Sequence, residues 1–225
     1  MPERKRNEMA KGAAKSPSLS TPIYECLAAE NIFGTGLGSV WISRKLPKGQ
    51  LSVAMFLLDV FCLGVKNAML WRISRREYKM ILMMNFAESM TPIQACCLKK
   101  LVLGAAAYAD SFGFSPHEDY AAALTALEGI DARDCEAEYS FGRNGKPFYV
   151  RGPNESQAES QRIIGQLRRR CGEEGFDFLT DMDTDEEDEG NIATIDDLFE
   201  VEQLMSDWER AFPFKSRSKK EGGSG

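Results

Sequence analysis

Histidine is almost missing from this 225-residue chain, which has one, and its six cysteines include no Cys-x-x-Cys pair. The usual zinc cages and disulfide frameworks need such spacings, so no metal, no cofactor and no disulfide scaffold is expected. Cys26, Cys62, Cys96, Cys97, Cys135 and Cys171 read instead as reduced, mostly buried thiols. Long apolar runs are missing too. Crossing a bilayer needs roughly 18 such residues, and Asp59 and Lys66 interrupt the best candidate. The opening MPERKRNEMAKGAAKSPSLS lacks the apolar centre of a secretory signal, so the expectation is a cytoplasmic protein without a membrane partner.

What is present is enough apolar material for a core, 43% of residues, and a lopsided distribution of charge. Residues 1–100 carry 15 Lys/Arg and 7 Asp/Glu, whereas residues 101–225 carry 13 and 27, so a net of −6 conceals +8 followed by −14. Such asymmetry points to contact with nucleic acid, with acidic partners or between parts of one chain. It does not bear on the fold.

Periodicity supplies the elements. Gly38–Arg44 alternates as a half-buried strand, the turn residues 45–49 follow, and Leu51–Cys62 reads as a second strand, apolar on both faces and therefore central. Ser74-Arg-Arg-Glu77 is a capping box, with Tyr78, Ile81, Leu82 and Phe86 at helical spacing behind it. Thr91-Pro92 opens a long helix over 93–112, and Ser115-Pro116 a shorter one over 116–127 that closes near Gly129. Asn144-Gly145, between 137–141 and 147–150, signals a second hairpin. A helix over 155–170 ends in Arg168-Arg-Arg170, and 176–179 is a last strand.

The predicted fold class is thus α+β: two β-hairpins packed with several helices around one core, forming a single domain over 21–180. A flexible basic arm over 1–20 precedes it. An acidic linker over 181–193 follows, containing DMDTDEEDE, then an amphipathic acidic helix over 194–213 and a disordered tail over 214–225 ending in a linker-like Gly-Gly-Ser-Gly.

Gly36-Leu-Gly-Ser-Val-Trp-Ile-Ser-Arg44, running into FLLDVFCLGVKNA (56–68), together with FGRNGKPFYVRGP (141–153), resembles blocks of a family of bacterial proteins without an assigned activity. Gly113-Phe-Ser-Pro-His-Glu-Asp-Tyr120 is similar to a third block. The likeness spans roughly residues 22–179. It implies a single bacterial domain and transfers no catalytic residue.

Side chains must therefore carry the functional reading. Cys62 as nucleophile, His117 as base and Asp59 or Asp119 as orienting acid would make a hydrolase or transferase. The competing account makes Cys62 a buried small hydrophobe. Asp59, on a strand face with Leu57 and Phe61, is then a bracket that fastens the next turn by accepting loop amides after Gly64 or pairing with Lys66 or an arginine of the next helix. Gly34-Thr-Gly-Leu-Gly38 precedes a strand and lacks the strand-then-helix setting of a phosphate cradle.

Arg44, Lys45, Lys48, Arg72, Arg75, Arg76 and Lys79 form a candidate basic surface for nucleic acid or another anion, with Trp41, Trp71 and Tyr78 nearby for stacking. Leu198, Phe199, Met205, Trp208 and Phe212 make an apolar stripe on the C-terminal helix, suited to a protein partner's groove or to its own domain. The expectation is a non-catalytic binding or accessory module engaging a protein or nucleic acid. The cysteine enzyme is the alternative.

Overall fold

A computed structural model describes residues 21–84, 89–153 and 155–180. The two long apolar strands meet as expected, and neighbours extend them into a five-stranded antiparallel sheet. It is built from β1 (Ile23–Ala29), β2 (Leu37–Lys45), β3 (Gln50–Asp59), β4 (Gly64–Ser74) and β5 (Met90–Pro92), in the order β4-β3-β2-β1-β5. A one-turn helix, α1 (Ile32–Thr35), links β1 to β2 and ends at Gly36 with φ 80°. Central β3 is buried on both faces, as its sequence requires.

The pleat of β3 sorts two cores. Ala54, Phe56 and Leu58 face a layer containing α3 (Ala95–Ser111), where Leu98, Leu101, Val102 and Ala105 cover them. Leu51, Val53, Met55 and Leu57 face the other way, joining Trp41 and Tyr78 under α2 (Arg75–Met84). The expected capping box forms at the start of α2: Glu77 N–H donates to Ser74 Oγ, and Glu77 Oε2 accepts from the Ser74 amide. A third apolar cluster, with Cys62, Phe114, Tyr149, Ile163 and Leu167, packs α5 (Gln157–Cys171) against the β3–β4 turn. The Ser156/Glu159 capping box opens α5, and three arginines occupy its last turn. The α+β class holds.

Some finer expectations do not. Thr91-Pro92 lies in β5 rather than capping α3, whose N-cap is Gln94. The helix expected over 116–127 begins only at α4 (Tyr120–Leu124) and tightens into a 3-10 turn over Thr125–Leu127. Asn144 and Gly145 do form the tight turn, with φ 52° and 79° and an Arg143–Lys146 bridge. Its flanks diverge, however. On the C-terminal side β6 (Phe148–Val150) pairs in parallel with β7 (Asp177–Leu179) instead of closing a hairpin. Turn chemistry fixes where the chain reverses; long-range burial chose the partner, because Tyr149 inserts fully between α5 and the sheet. The arm over 1–20, the acidic linker over 181–193, the helix over 194–213 with Leu198, Phe199, Met205, Trp208 and Phe212, and the tail over 214–225 lie outside the described residues.

Candidate functional site

The β3–β4 turn displays the proposed bracket. Asp59 Oδ1 accepts the amides of Phe61 at 3.0 Å and Cys62 at 2.8 Å, which satisfies backbone donors in a buried reversal. These amides precede Gly64 rather than follow it. Burial pushes the Asp59 carboxyl above its ordinary range, opposed by the Lys66 charge and the amide bonds. Lys66 itself donates to Glu155 Oε1 at 2.9 Å, and Tyr149 Oη donates to Glu155 Oε2 at 2.6 Å. Burial would raise the Glu155 carboxyl, but the Lys66 charge and these two hydrogen bonds together hold it below its ordinary value. Asp59 and Lys66 therefore act on the same turn through different partners.

Cys62 beside this bracket is fully buried. Burial first, then the Asp59 charge, drive its thiol far above the usual cysteine range, so a thiolate does not form there near neutral pH. No hydrogen bond joins Cys62 to His117. The His117 ring nitrogen Nδ1 accepts the Asp119 amide, and the His117 amide donates to Val65 O. His117 lines an open crevice of about 380 Å³ with Lys66, Ser115 and Arg162, from which Cys62 is absent. The three groups of the enzymatic reading are thus not brought together as nucleophile, base and orienting acid.

The basic residues divide into two groups. Arg44 is buried and unavailable to an outside anion, a correction to its place in the surface set. Its guanidinium donates to Ala126 O at 2.6 Å, Thr21 O at 2.7 Å and Glu128 O at 2.7 Å. The carbonyls at the end of the 3-10 turn have no helical donors left, and a planar fork satisfies two of them at once. Nothing in the local sequence distinguishes this arginine from its exposed neighbours, because two of its three partners lie more than 80 residues away.

The other cations are exposed at one end of the sheet. The Gln50–Ser74 pairing sets the β2–β3 turn, with Lys45 and Lys48, beside the start of α2. Arg75 lies over the Tyr24 ring, 5.3 Å from its centre. Arg76, Lys79, Met80 and Met83 recur at helical spacing on the outer side of α2, with the two methionines 49% and 68% exposed. Lys45, Lys48, Arg72, Arg76 and Lys79 form no ion pair with a carboxylate among the described residues. Arg72, however, lies between Trp71 and Ile73, which pack on the α2 side, so the pleat sets it on the opposite face of the sheet, a correction to its place in the surface set. Trp71 is half-buried against Trp41, its ring centre 5.8 Å away, so it offers part of a ring and not a free platform.

A feature that sequence spacing did not reveal sits at the opposite layer. Cys97 and Cys135 form a disulfide across a sequence separation of 38, which overturns the expectation of uniformly reduced thiols. Tertiary packing, not spacing, brings them together: Cys97 is in the first turn of α3, and Cys135 follows a 3-10 turn over Ala132–Asp134 that packs on that helix. Half-exposed Cys96 completes a group in which the three sulfurs lie within 4.8 Å of one another. The adjacency of Cys96 and Cys97 was the single local hint.

No helix among the described residues is long and apolar enough to cross a membrane. No family model, curated protein or solved structure matches the chain.

Proposed function

We propose that this protein is a bacterial, cytoplasmic, non-catalytic binding or accessory module that engages single-stranded nucleic acid through the basic end of its sheet. The observation that carries this reading is the outer side of α2 with the adjoining turn. There Lys45, Lys48, Arg76 and Lys79 are exposed without carboxylate partners among the described residues, beside exposed Met80 and Met83. Clustered cations release counterions from a phosphate backbone, and soft apolar side chains between them give unstacked bases somewhere to lie. The resemblance to a bacterial family supports the setting. Cys62, fully buried and absent from the crevice that His117 lines, gives the enzymatic alternative no support.

Fluorescence anisotropy with a labelled single-stranded oligonucleotide tests the proposal on the full chain. Four phosphate contacts predict a log–log salt slope of about −2.8. K45E/K48E/R76E/K79E lowers affinity at least about tenfold and flattens that slope. Salt-insensitive binding, or binding that the quadruple variant retains, removes nucleic acid as the partner.

A further inference from the structure

Cys96, Cys97 and Cys135 lie apart from the basic end and are unused by the function proposed above. We propose that, when reduced, they form a three-thiolate site for a soft divalent cation of the zinc class, and that the Cys97–Cys135 disulfide is the oxidised, metal-free form of the same site.

The geometry matches the ligand chemistry. A zinc–sulfur bond of about 2.3 Å places neighbouring thiolates about 3.8 Å apart in a tetrahedron. The three sulfurs already lie within 4.8 Å of one another. Opening the Cys97–Cys135 bond and turning these side chains closes the remaining difference, leaving one coordination position for water or an outside ligand.

The scaffold keeps the site together without the disulfide. Lys99 Nζ donates to Ile130 O at 2.8 Å, and Lys100 Nζ to Glu138 Oε1 at 2.7 Å and Cys135 O at 3.4 Å. The Cys135 amide donates to Ala132 O, and Asp131 caps that turn by accepting the Arg133 amide. The segment bearing Cys135 is therefore fastened to α3 on both sides of the sulfur. The Lys100 ammonium also stands beside Cys135, in a cluster that becomes anionic on binding metal, and the first-turn amides of α3 add the positive end of a helix. Cys96, half-exposed, gives the cation a way in.

Switching the site balances as follows. Binding zinc displaces one proton from each thiol to solvent. A low-molecular-weight disulfide, such as oxidised glutathione, then accepts two electrons from Cys97 and Cys135. Their sulfurs join, its own sulfur–sulfur bond breaks, the cation leaves, and its two thiolates and the freed Cys96 thiolate take up three protons from solvent.

The full chain is reduced anaerobically, loaded with zinc alone, desalted and titrated against a chromogenic chelator. About one equivalent of zinc stays bound, and oxidised glutathione releases it. Cys96→Ser leaves the disulfide intact and the fold unstrained, so it is the decisive variant: it weakens binding at least about tenfold, since losing a ligand costs no less than losing an outer-shell partner. Cys135→Ser does the same, and Cys171→Ser changes nothing. Cobalt loading supplies a second measurement, in which sulfur-to-cobalt absorption falls with each ligand removed even if a variant is less stable. Reduced protein that retains no zinc overturns the proposal, as does Cys96→Ser that binds as tightly as the parent. Neither result bears on oligonucleotide binding at the basic end.

Discussion

Asp59 shows how one side chain can look reactive and serve geometry. It is 8% exposed and spends its oxygen on the amides of Phe61 and Cys62, holding the reversal from β3 to β4. Its hydrogen-bonding capacity and its charge separate experimentally. Asp59→Ala leaves two buried amides without an acceptor and costs about 2 kcal/mol or more at pH 4. Asp59→Asn keeps an acceptor oxygen and removes the charge. Because burial raises the folded carboxyl above its unfolded value, the stability this group contributes is complete below the ordinary carboxylate range and is lost as pH rises through the folded value. Asn escapes that loss. Urea unfolding should therefore find Asp59→Asn close to the parent at pH 4 and at least as stable at pH 7, with Asp59→Ala below both. Should Asn prove as costly as Ala at pH 7, the ionised carboxylate itself is what the turn requires.

Among elements, the contact of β4 with α3 is set by an exchange of volume. Gly64 begins β4 at φ 69°, and a methyl group there would stand 2.6 Å from Ala109 Cβ and 2.7 Å from Ala105 O. Small residues on both sides let strand and helix approach closely, so Gly64→Ala carries a clash with backbone as well as a left-handed conformation that alanine disfavours. Thermal unfolding should show a loss of about 2 to 4 kcal/mol, against a small change for Gly145→Ala, which meets no atom within 4 Å and bears only the conformational cost. Unfolding that treats the two alike would place the cost in φ alone. The same interface explains what was readable beforehand. β2, β3 and α3 announce themselves through period, and α2 and α5 through capping boxes as well, all of which are local. β1 and β4 do not, because GVKNAMLWRIS mixes lysine, asparagine and arginine with apolar residues on an edge strand whose exposure changes along its length. The second hairpin failed for a related reason: Asn144-Gly145 specifies a turn but carries no information about β7. At the candidate sites, the Asp59 bracket was legible because an acidic group in an apolar run must be satisfied nearby. The capture of Arg44 and the convergence of Cys135 on α3 were not, since both depend on contacts across many residues of intervening chain.

At the scale of the whole molecule, a net charge of −6 means that long-range attraction cannot bring this chain to nucleic acid; any binding relies on a local basic end working against the field of the rest. The densest acidic stretch of the sequence is the run DMDTDEEDE at 181–189, which holds seven acidic residues and no basic one. Replacing those seven with Asn and Gln moves the net charge from −6 to +1 without touching any described residue. Under the proposed function the neutralised variant binds the labelled oligonucleotide about tenfold more tightly at low salt, with most of the gain in the association rate. The gain shrinks as ionic strength shortens the screening length to roughly 8 Å near 0.15 M. The contrast with K45E/K48E/R76E/K79E is informative: that variant loses contacts and flattens the salt slope, whereas neutralising the acidic run raises affinity at low salt and steepens it. Stopped-flow association at two salt concentrations separates them. Equal affinity of parent and neutralised protein at low salt would mean that the acidic run does not oppose the basic end, and that the division of charge along this chain serves something other than nucleic-acid binding.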